Sequence, residues 1–215
     1  MNPAVPIVHI VDDDSSFRTS VERLVQAAGF RSVGYQSGAE LLAGLNSTEP
    51  GCVLLDLNMP ELDGLMLQAQ LAAEAPLLPI VFLTGYGSIA STVRAMKAGA
   101  EDFLEKSASS GDLLAAIERA VQRYRQRASE RERTVALQAR VASLTKRESI
   151  VFELIVRGNR NKQVAYELGT SERTVKAHRR SIMEKLDAHS LAEAVSIAER
   201  LGILNDDASP LGQAG

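Results

Sequence analysis

Five short apolar runs alternate with helical patterns over the first 123 residues, and this alternation restricts the possible folds more than any other feature of the chain. The runs are nearly continuous in apolar character, which is typical of strands buried on both faces of a parallel sheet. They lie at Ile7–Val11, near Phe30–Tyr35, and at Cys52–Leu55, Ile80–Leu83 and Asp102–Leu104. Five strand–helix repeats predict an α/β domain with a doubly wound, five-stranded parallel sheet.

The segments between the predicted strands have helical spacing and helical boundary signals. The first helix ends at Gly29, and its apolar face consists of Phe17, Val21, Leu24, Val25 and Ala28. Ser37 and Glu40 have the spacing of a capping box, which opens the second helix. The third helix is predicted over Leu65–Ala73, the fourth over Ser88–Ala98, and the fifth from Asp112 onward. Each strand is therefore followed by one crossover helix, as a doubly wound sheet requires.

The carboxyl ends of four predicted strands carry residues of complementary chemistry. The first strand runs into Asp12, Asp13 and Asp14, and the third ends at Asp56. The fourth ends at Thr84, and Lys106 follows the fifth. Several carboxylates within a few Å require a cation, and hard oxygen ligands with open water positions suit Mg²⁺. Since a hydroxyl and an ammonium group complement phosphoryl oxygens, the pattern predicts a site at which the third-strand aspartate becomes an acyl phosphate.

The segments IVDDD, LLDLNMPELDG, IVFLTGYG and AMKAGAEDFLEK resemble the receiver domain of two-component response regulators. The resemblance covers residues 5–123. It implies that Asp56 is the phosphoacceptor and that Mg²⁺ is held by Asp12, Asp13 and Asp56. It also implies that the backbone carbonyl of Asn58 is a metal ligand.

The same resemblance assigns switch roles to three further residues. Thr84 corresponds to the switch hydroxyl, Lys106 to the phosphate-pairing lysine, and Phe103 to the aromatic switch position. The chain departs from the family at Ser107, where a proline with a cis bond usually follows the lysine. A cis bond before any other residue costs about 3–4 kcal/mol. We therefore expect this loop to be trans, or more mobile than in the family.

Charge divides the chain into segments of different character. Residues 1–123 carry 8 lysines and arginines against 15 aspartates and glutamates, and residues 124–143 carry 5 arginines against 2 glutamates. Residues 144–215 are close to balance. Acidic patches suit cations and basic helices suit phosphates, so the asymmetry favours two modules with different partners. Ordinary solvated surface is the alternative interpretation.

Residues 124–142 are predicted to form a helical linker, because neither proline nor glycine interrupts a run rich in helix-forming residues. The apolar positions are too sparse to predict a coiled coil. Two interpretations remain open. The segment is either a solvated helix or flexible tether, or a helix that contacts a partner and reports domain orientation.

The last third of the chain predicts a four-helix domain. Thr145 and Glu148 form a capping box, and the tight turn Gly169–Ser171 leads into a helix over Glu172–Leu186. Two helices joined by such a turn are typical of a helix-turn-helix. We call three exposed cations on the second of these helices the basic stripe. Its members are Arg173, Lys176 and Arg180, and Arg179 lies beside it. Such a stripe suits a DNA major groove, although a solvated helix face is the alternative.

The segment LTKRESIVFELIVRGNRNKQVAYELGTSERTVKAHRRSIMEKLDAHSLAEAV is similar to the LuxR-type helix-turn-helix domain. The resemblance predicts a DNA-binding domain over residues 143–205, followed by a disordered tail over 206–215. It implies DNA-interface roles for Lys176, Ala177, Arg179 and Arg180, together with phosphate contacts from Lys162 and Thr174. The final helix is implied as a dimer contact. A receiver joined to this output domain resembles the FixJ and NarL group of transcription regulators.

These observations predict a phosphorylation-dependent, DNA-binding transcription regulator rather than an enzyme. A sensor histidine kinase is the expected phosphate donor, and the active form is expected to bind double-stranded DNA as a homodimer. Two alternatives stay open. One is a constitutive DNA binder whose receiver only dimerises, and the other is an aspartyl-phosphate phosphatase or phosphotransferase acting on small molecules.

The chain is expected to reside in the cytoplasm and not in a membrane. It has one cysteine, Cys52, so no intramolecular disulfide is possible. No run of about 18 apolar residues is present, and the amino terminus turns acidic without a basic segment before its apolar stretch.

Overall fold

The computed structural model describes residues 5–45, 49–59, 63–85 and 88–204. The chain divides into two compact units between Ser129 and Glu130. The tail predicted over residues 206–215 lies outside the described residues. Within the described ranges, no helix is both long enough and apolar enough to cross a membrane.

The amino-terminal unit contains the predicted sheet. Its strands are β1 (Ile7–Val11), β2 (Arg31–Tyr35), β3 (Gly51–Asp56), β4 (Ile80–Thr84) and β5 (Asp102–Glu105). All neighbouring pairs are parallel, in the order β2-β1-β3-β4-β5. The order reverses direction next to β1, and the crevice beyond the carboxyl ends of β1 and β3 is where such sheets place their sites.

In the part of the chain that the structure describes, five helices cover the two faces of this sheet. They are α1 (Ser15–Ala27), α2 (Gly38–Gly44), α3 (Gly64–Glu74), α4 (Ile89–Lys97) and α5 (Ser110–Ala142). Alternate strand residues point to opposite faces, so the central strands are buried on both sides. One face packs in a core cluster with α1 and α5, and its strand members are Val8, Ile10, Cys52, Leu54, Val81 and Leu83. The other face packs in a second cluster that includes residues of α2, α3 and α4.

The carboxyl-terminal unit is helical. It contains α6 (Lys146–Val156), α7 (Asn161–Glu167), α8 (Glu172–Leu186) and α9 (Leu191–Arg200) around a core that includes Phe152. The turn between α7 and α8 begins at Gly169, whose φ of 60° lies in the left-handed region that favours glycine. The Ser171 hydroxyl then caps α8 by accepting a hydrogen bond from Thr174 N at 3.1 Å.

The last turns of α5 pack within this carboxyl-terminal unit. Leu137 and Val141 contact its apolar core. Arg140 donates a hydrogen bond of 3.1 Å to the carbonyl of Leu186 and pairs with Asp187 at 3.1 Å. These two residues lie at the carboxyl end of α8, where a cation complements the exposed carbonyls and the helix dipole. The structure thus joins the end of the predicted linker to the end of α8 through Arg140.

The predicted capping box at Thr145 and Glu148 is present, and it carries a further function in packing. The Glu148 carboxylate is only 5% exposed and accepts hydrogen bonds from Thr145 N at 2.7 Å and from the Ser181 hydroxyl at 2.7 Å. It also pairs with Lys185 at 2.6 Å. The bond from Lys185, then those from Thr145 and Ser181, lower the pKa of Glu148 from 4.5 to about 2. This carboxylate therefore ties the start of α6 to α8.

We expect Glu148→Gln to destabilise the carboxyl-terminal unit by about 1–3 kcal/mol at pH 7, because charge-assisted hydrogen bonds are lost. Since the folded-state pKa lies below the unfolded one, the contribution of native Glu148 is complete above about pH 4.5 and is lost as the pH falls toward about 2. Urea unfolding followed by circular dichroism at pH 7 and pH 3 measures both effects. Glu153→Gln, an exposed change on the same helix, is the control. Equal destabilisation by the two variants would contradict this role for Glu148.

Candidate functional site

Three carboxylates meet at the carboxyl edge of the sheet, and we call Asp12, Asp13 and Asp56 the carboxylate cluster. Each offers one oxygen, and these oxygens all lie within 4.8 Å of one another. Asp12 and Asp56 are buried, whereas Asp13 is exposed. The two buried aspartates come together because Asp12 directly follows β1 and Asp56 ends the neighbouring strand β3.

Lys106 lies against this cluster. Its Nζ atom is 2.7 Å from Asp12 Oδ2 and 2.8 Å from Asp56 Oδ2. Its backbone N–H donates to the carbonyl of Thr84 at 2.8 Å, which fixes the residue just beyond β5. One ammonium group against three carboxylates leaves the site negative, which favours a bound cation.

Burial and pairing act in opposite directions on the charges of this site. Burial raises the pKa of the Asp12 carboxyl above its usual value, against the hydrogen bond from Lys106. Burial also favours the neutral form of Lys106, and this effect alone would lower the pKa of the lysine. The hydrogen bonds to Asp12 and Asp56 outweigh it, however, so the pKa of the lysine lies above its usual value. The lysine therefore stays charged at neutral pH.

Asn58 and Thr84 border the same cluster. The backbone N–H of Asn58 donates to Asp56 Oδ1 at 3.1 Å, and its side-chain amide donates to the Thr84 hydroxyl at 3.4 Å. Thr84 is fully buried at the end of β4. Phe103 lies on β5 and packs against Phe82, with 6.0 Å between ring centroids. The structure thus brings every predicted residue of this site together except Phe103, whose ring packs against Phe82.

The loop after β5 has a trans backbone. No peptide bond in the described ranges is cis, and these ranges include the bond before Ser107. The Ser107 hydroxyl donates to Glu105 Oε2 at 3.0 Å. The trans bond expected before Ser107 is therefore present.

Residues that the sequence pattern did not assign to the site contact it from α1. The Asp14 carboxylate caps α1 by accepting hydrogen bonds from Ser16 N at 2.8 Å and Phe17 N at 3.1 Å. The Phe17 ring lies under Lys106, with Nζ 4.8 Å from the ring centroid. Arg18 donates a hydrogen bond to the carbonyl of Asp12. Helical spacing placed Phe17 on the apolar face of α1, but it gave no signal for contact with a lysine almost ninety residues later.

The second group of predicted functional residues lies on α7 and α8. The basic stripe is exposed, and so are Ala177 and Thr174. The opposite side of α8 is buried through Val175, Ile182 and Leu186. The periodicity predicted from the sequence therefore separates an exposed cationic face from a core face.

The cations on this surface differ in their contacts. Arg180 pairs with Glu184 at 2.9 Å, but both side chains are mostly exposed, so the pair is weak. Arg179 is half-buried and donates to Asn161 Oδ1 at 2.9 Å, which joins α8 to the start of α7. Lys162 is exposed on α7. Lys176 has no ion pair within the described part of the chain, so its ammonium group faces solvent.

Two family models match the chain, one in each unit. Residues 8–118 match the response regulator receiver domain. Residues 142–198 match the luxR family of bacterial regulatory proteins. The first match contains the carboxylate cluster and Lys106, and the second contains α7 and α8.

Curated relatives align with both units at once. Nodulation protein W of Bradyrhizobium diazoefficiens is 43% identical, covering 92% of this chain and 87% of that protein. Response regulator protein TodT of Pseudomonas putida is 38% identical, covering 94% and 88%. Transcriptional regulatory protein FixJ of Bradyrhizobium diazoefficiens is 38% identical, covering 93% and 97%. The arrangement of the two units along the chain is therefore shared with these relatives.

Solved structures agree with these alignments. The response regulator StyR is 44% identical with a TM-score of 0.78, covering 92% of this chain and 100% of that chain. Full-length FixJ from B. japonicum is 37% identical with a TM-score of 0.54, covering 93% and 98%. Both comparisons extend over the two units.

Proposed function

The chain belongs to the response regulator family, as a phosphorylation-dependent transcription regulator with a receiver domain and a LuxR-family DNA-binding domain, and from this premise we propose that Asp56 is its phosphoacceptor. The observation that carries the proposal is the carboxylate cluster with Lys106 against it. Asp56 is buried at a strand end and is held by a backbone N–H and an ammonium group. These contacts fix the direction of its oxygens.

The reaction is transfer of a phosphoryl group from a sensor histidine kinase. An Asp56 oxygen forms a bond to phosphorus while the P–N bond to the kinase histidine breaks, and the imidazole nitrogen leaves with the electron pair. A carboxylate is a weak nucleophile, so nearby positive charge must offset the charge of the phosphoryl oxygens. Lys106 supplies one such charge, since its Nζ already lies 2.8 Å from Asp56.

The donor set fits Mg²⁺. Three carboxylates within 4.8 Å of one another offer the hard oxygen ligands that this ion prefers, and the exposure of Asp13 leaves room for water ligands. The proposed ligands are Asp12, Asp13, Asp56 and the backbone carbonyl of Asn58. When bound, the ion would offset the negative charge of the carboxylates and of the incoming phosphoryl group.

Phosphorylation acts on the rest of the domain through Thr84, Lys106 and Phe103. A phosphoryl group adds charge and acceptor oxygens at Asp56, and both the Thr84 hydroxyl and the Lys106 ammonium group can donate to it. Thr84 ends β4, and the ring of Phe103 packs on Phe82 of that strand. A shift at Thr84 therefore reaches the Phe103 ring through β4. Thr84 and Phe103 together form the two-state element that such a switch requires.

The output is binding to double-stranded DNA by α8. The surface that enters the major groove consists of the basic stripe, Ala177 and Arg179. Phosphates are contacted by Lys162 and Thr174. The active form is a homodimer, so that two copies of α8 reach half-sites related by two-fold symmetry. The protein acts in the cytoplasm, where both DNA and the phosphorylated kinase domain are accessible, and it has no turnover on small phosphoesters.

The proposed function gives each segment of the chain its own role. A receiver occupies residues 5–123, a helical linker residues 124–142, and the DNA-binding domain residues 143–205. The two family matches, at 8–118 and 142–198, support the order of a receiver followed by a DNA-binding domain.

We expect phosphorylation to raise the affinity for a cognate operator by about tenfold or more. This gain lies in the range expected for an effector with a coupling free energy of about 1–3 kcal/mol. The operator is first selected from a random DNA pool by the full-length protein. Dissociation constants are then measured at one salt concentration, with and without Mg²⁺ and a small phosphodonor. Identical affinities would reject phosphorylation control and favour a constitutive binder. Sustained release of inorganic phosphate over many turnovers would instead favour an enzyme.

A further inference from the structure

We propose that Phe17 is a positioning residue for Lys106, a role that rests on the proposed phosphoryl transfer at Asp56. The aromatic ring contacts the same ammonium group that pairs with Asp12 and Asp56. A lysine ammonium has three donor directions and a flexible four-carbon stem, so its position must be set by its surroundings. The ring and the carboxylates together set that position.

The ammonium group of Lys106 has two kinds of partner, carboxylate oxygens and an aromatic ring. Its Nζ lies 2.7 Å from Asp12 Oδ2, 2.8 Å from Asp56 Oδ2, and 4.8 Å from the centroid of the Phe17 ring. A cation over an aromatic face within about 6 Å is attracted by the negative charge of that face. Because the lysine side chain is only 20% exposed, water screens this attraction incompletely.

Phe17 is itself held in place from two directions. The Asp14 carboxylate accepts a hydrogen bond from its backbone N–H at 3.1 Å, in the first turn of α1. Its ring packs against the core cluster that contains Val21 and Leu113. The ring is therefore a fixed surface rather than a mobile cover. Its contact with Lys106 transfers that fixed position to the ammonium group.

The loop that follows Lys106 gives this contact more importance. Ser107 is exposed, and its hydroxyl is bonded to Glu105 rather than to any part of Lys106. The backbone of Lys106 is fixed by Thr84, but that bond does not orient the four side-chain torsions. The ring supplies a further contact to the ammonium group, besides those to Asp12 and Asp56. Without it, the ammonium group would lie less often where it can offset charge on a phosphoryl group.

The test compares three full-length proteins, native, Phe17→Leu and Phe17→Tyr, with a small phosphodonor such as acetyl phosphate. A small donor removes any effect of Phe17 on docking of a kinase. Leucine keeps apolar packing but removes the ring face, whereas tyrosine keeps it. We expect Phe17→Leu to lower the maximal phosphorylation rate about 3- to 10-fold, as the usual strength of such contacts implies. The half-saturating donor concentration should change little, and Phe17→Tyr should stay within about twofold of native.

A double-mutant cycle decides whether Phe17 acts through Lys106. Urea unfolding without Mg²⁺ is measured for native protein, Phe17→Leu, Lys106→Met and the double variant. We expect Phe17→Leu to lower the folding equilibrium constant about 3- to 10-fold more when Lys106 is present than when methionine replaces it. Equal effects in the two backgrounds would overturn the proposal, as would equal rate losses in Phe17→Leu and Phe17→Tyr.

Failure of phosphorylation at Asp56 and failure of the positioning role of Phe17 give different results. If native protein takes up no phosphate at Asp56, the proposed function is wrong, whatever the cycle shows. If native protein is phosphorylated and Phe17→Leu reacts at the native rate, only the positioning role is wrong.

Discussion

Replacing Asp56 by asparagine is expected to reduce phosphate uptake below detection and to abolish any gain in DNA affinity from a phosphodonor. The amide has nearly the shape of the carboxylate and keeps one acceptor oxygen. That oxygen can accept from Asn58 N or from Lys106 Nζ, which now donate to Asp56 Oδ1 at 3.1 Å and to Oδ2 at 2.8 Å. The amide lacks the anionic oxygen that must attack phosphorus, so phosphate uptake is lost. Phosphate uptake is read on a phosphate-affinity gel, and DNA affinity by fluorescence anisotropy with labelled operator.

Glu118→Gln is the matched control for this experiment. It makes the same acid-to-amide change on an exposed face of α5, away from the carboxyl edge of the sheet. We expect native phosphate uptake and a native response to the phosphodonor. Full uptake by Asp56→Asn would show that another side chain, such as exposed Asp13, accepts the phosphate, and the assignment of Asp56 would then be wrong.

Replacing Lys176 by alanine is expected to weaken operator binding about 10- to 100-fold, with phosphate uptake at Asp56 unchanged. Lys176 is exposed in the middle of the basic stripe, and it forms no ion pair in the described part of the protein that would have to break on binding. A lost phosphate contact also reduces the slope of log affinity against log salt by about one. A base contact would instead relax sequence preference at one operator position. Titrations at several salt concentrations on operator and scrambled DNA separate the two roles.

Lys146→Ala tests whether the effect of Lys176 is one of position or of total charge. Lys146 is also an exposed lysine of the carboxyl-terminal unit, but it begins α6 rather than lying on α8. We expect its removal to change affinity less than about threefold. Equal losses in the two variants would mean that net charge, and not the surface of α8, governs binding.

The central part of the fold was predictable because burial dictates its residues. β1, β3 and β4 are buried along their whole length, so their sequences are continuous apolar runs whose limits the pattern gives to within one residue. β2 and β5 lie at the two edges of the sheet and are partly exposed. Exposed positions tolerate polar residues, so the pattern in β2 was weak and its start was placed one residue early.

The site was predictable to the extent that topology alone determines it. Parallel strands end at one edge, so Asp12, Asp56 and Thr84 had to be neighbours once the sheet order was given. The contact of Phe17 with Lys106, and that of Arg140 with Leu186, depend instead on where long side chains turn. Neither contact has a periodic or local signal, since the partners lie far apart in sequence.

The attachment of Arg140 to the end of α8 bears on how the protein is divided for biochemical work. A carboxyl-terminal fragment that starts at Ser143 lacks Leu137 and Val141, and so uncovers apolar surface that these side chains now cover. It also leaves the Leu186 carbonyl without its arginine donor. A fragment that starts at Glu130 retains all of these contacts. A lower DNA affinity of the shorter fragment would then reflect the loss of these contacts at the end of α8, and not the absence of the receiver domain.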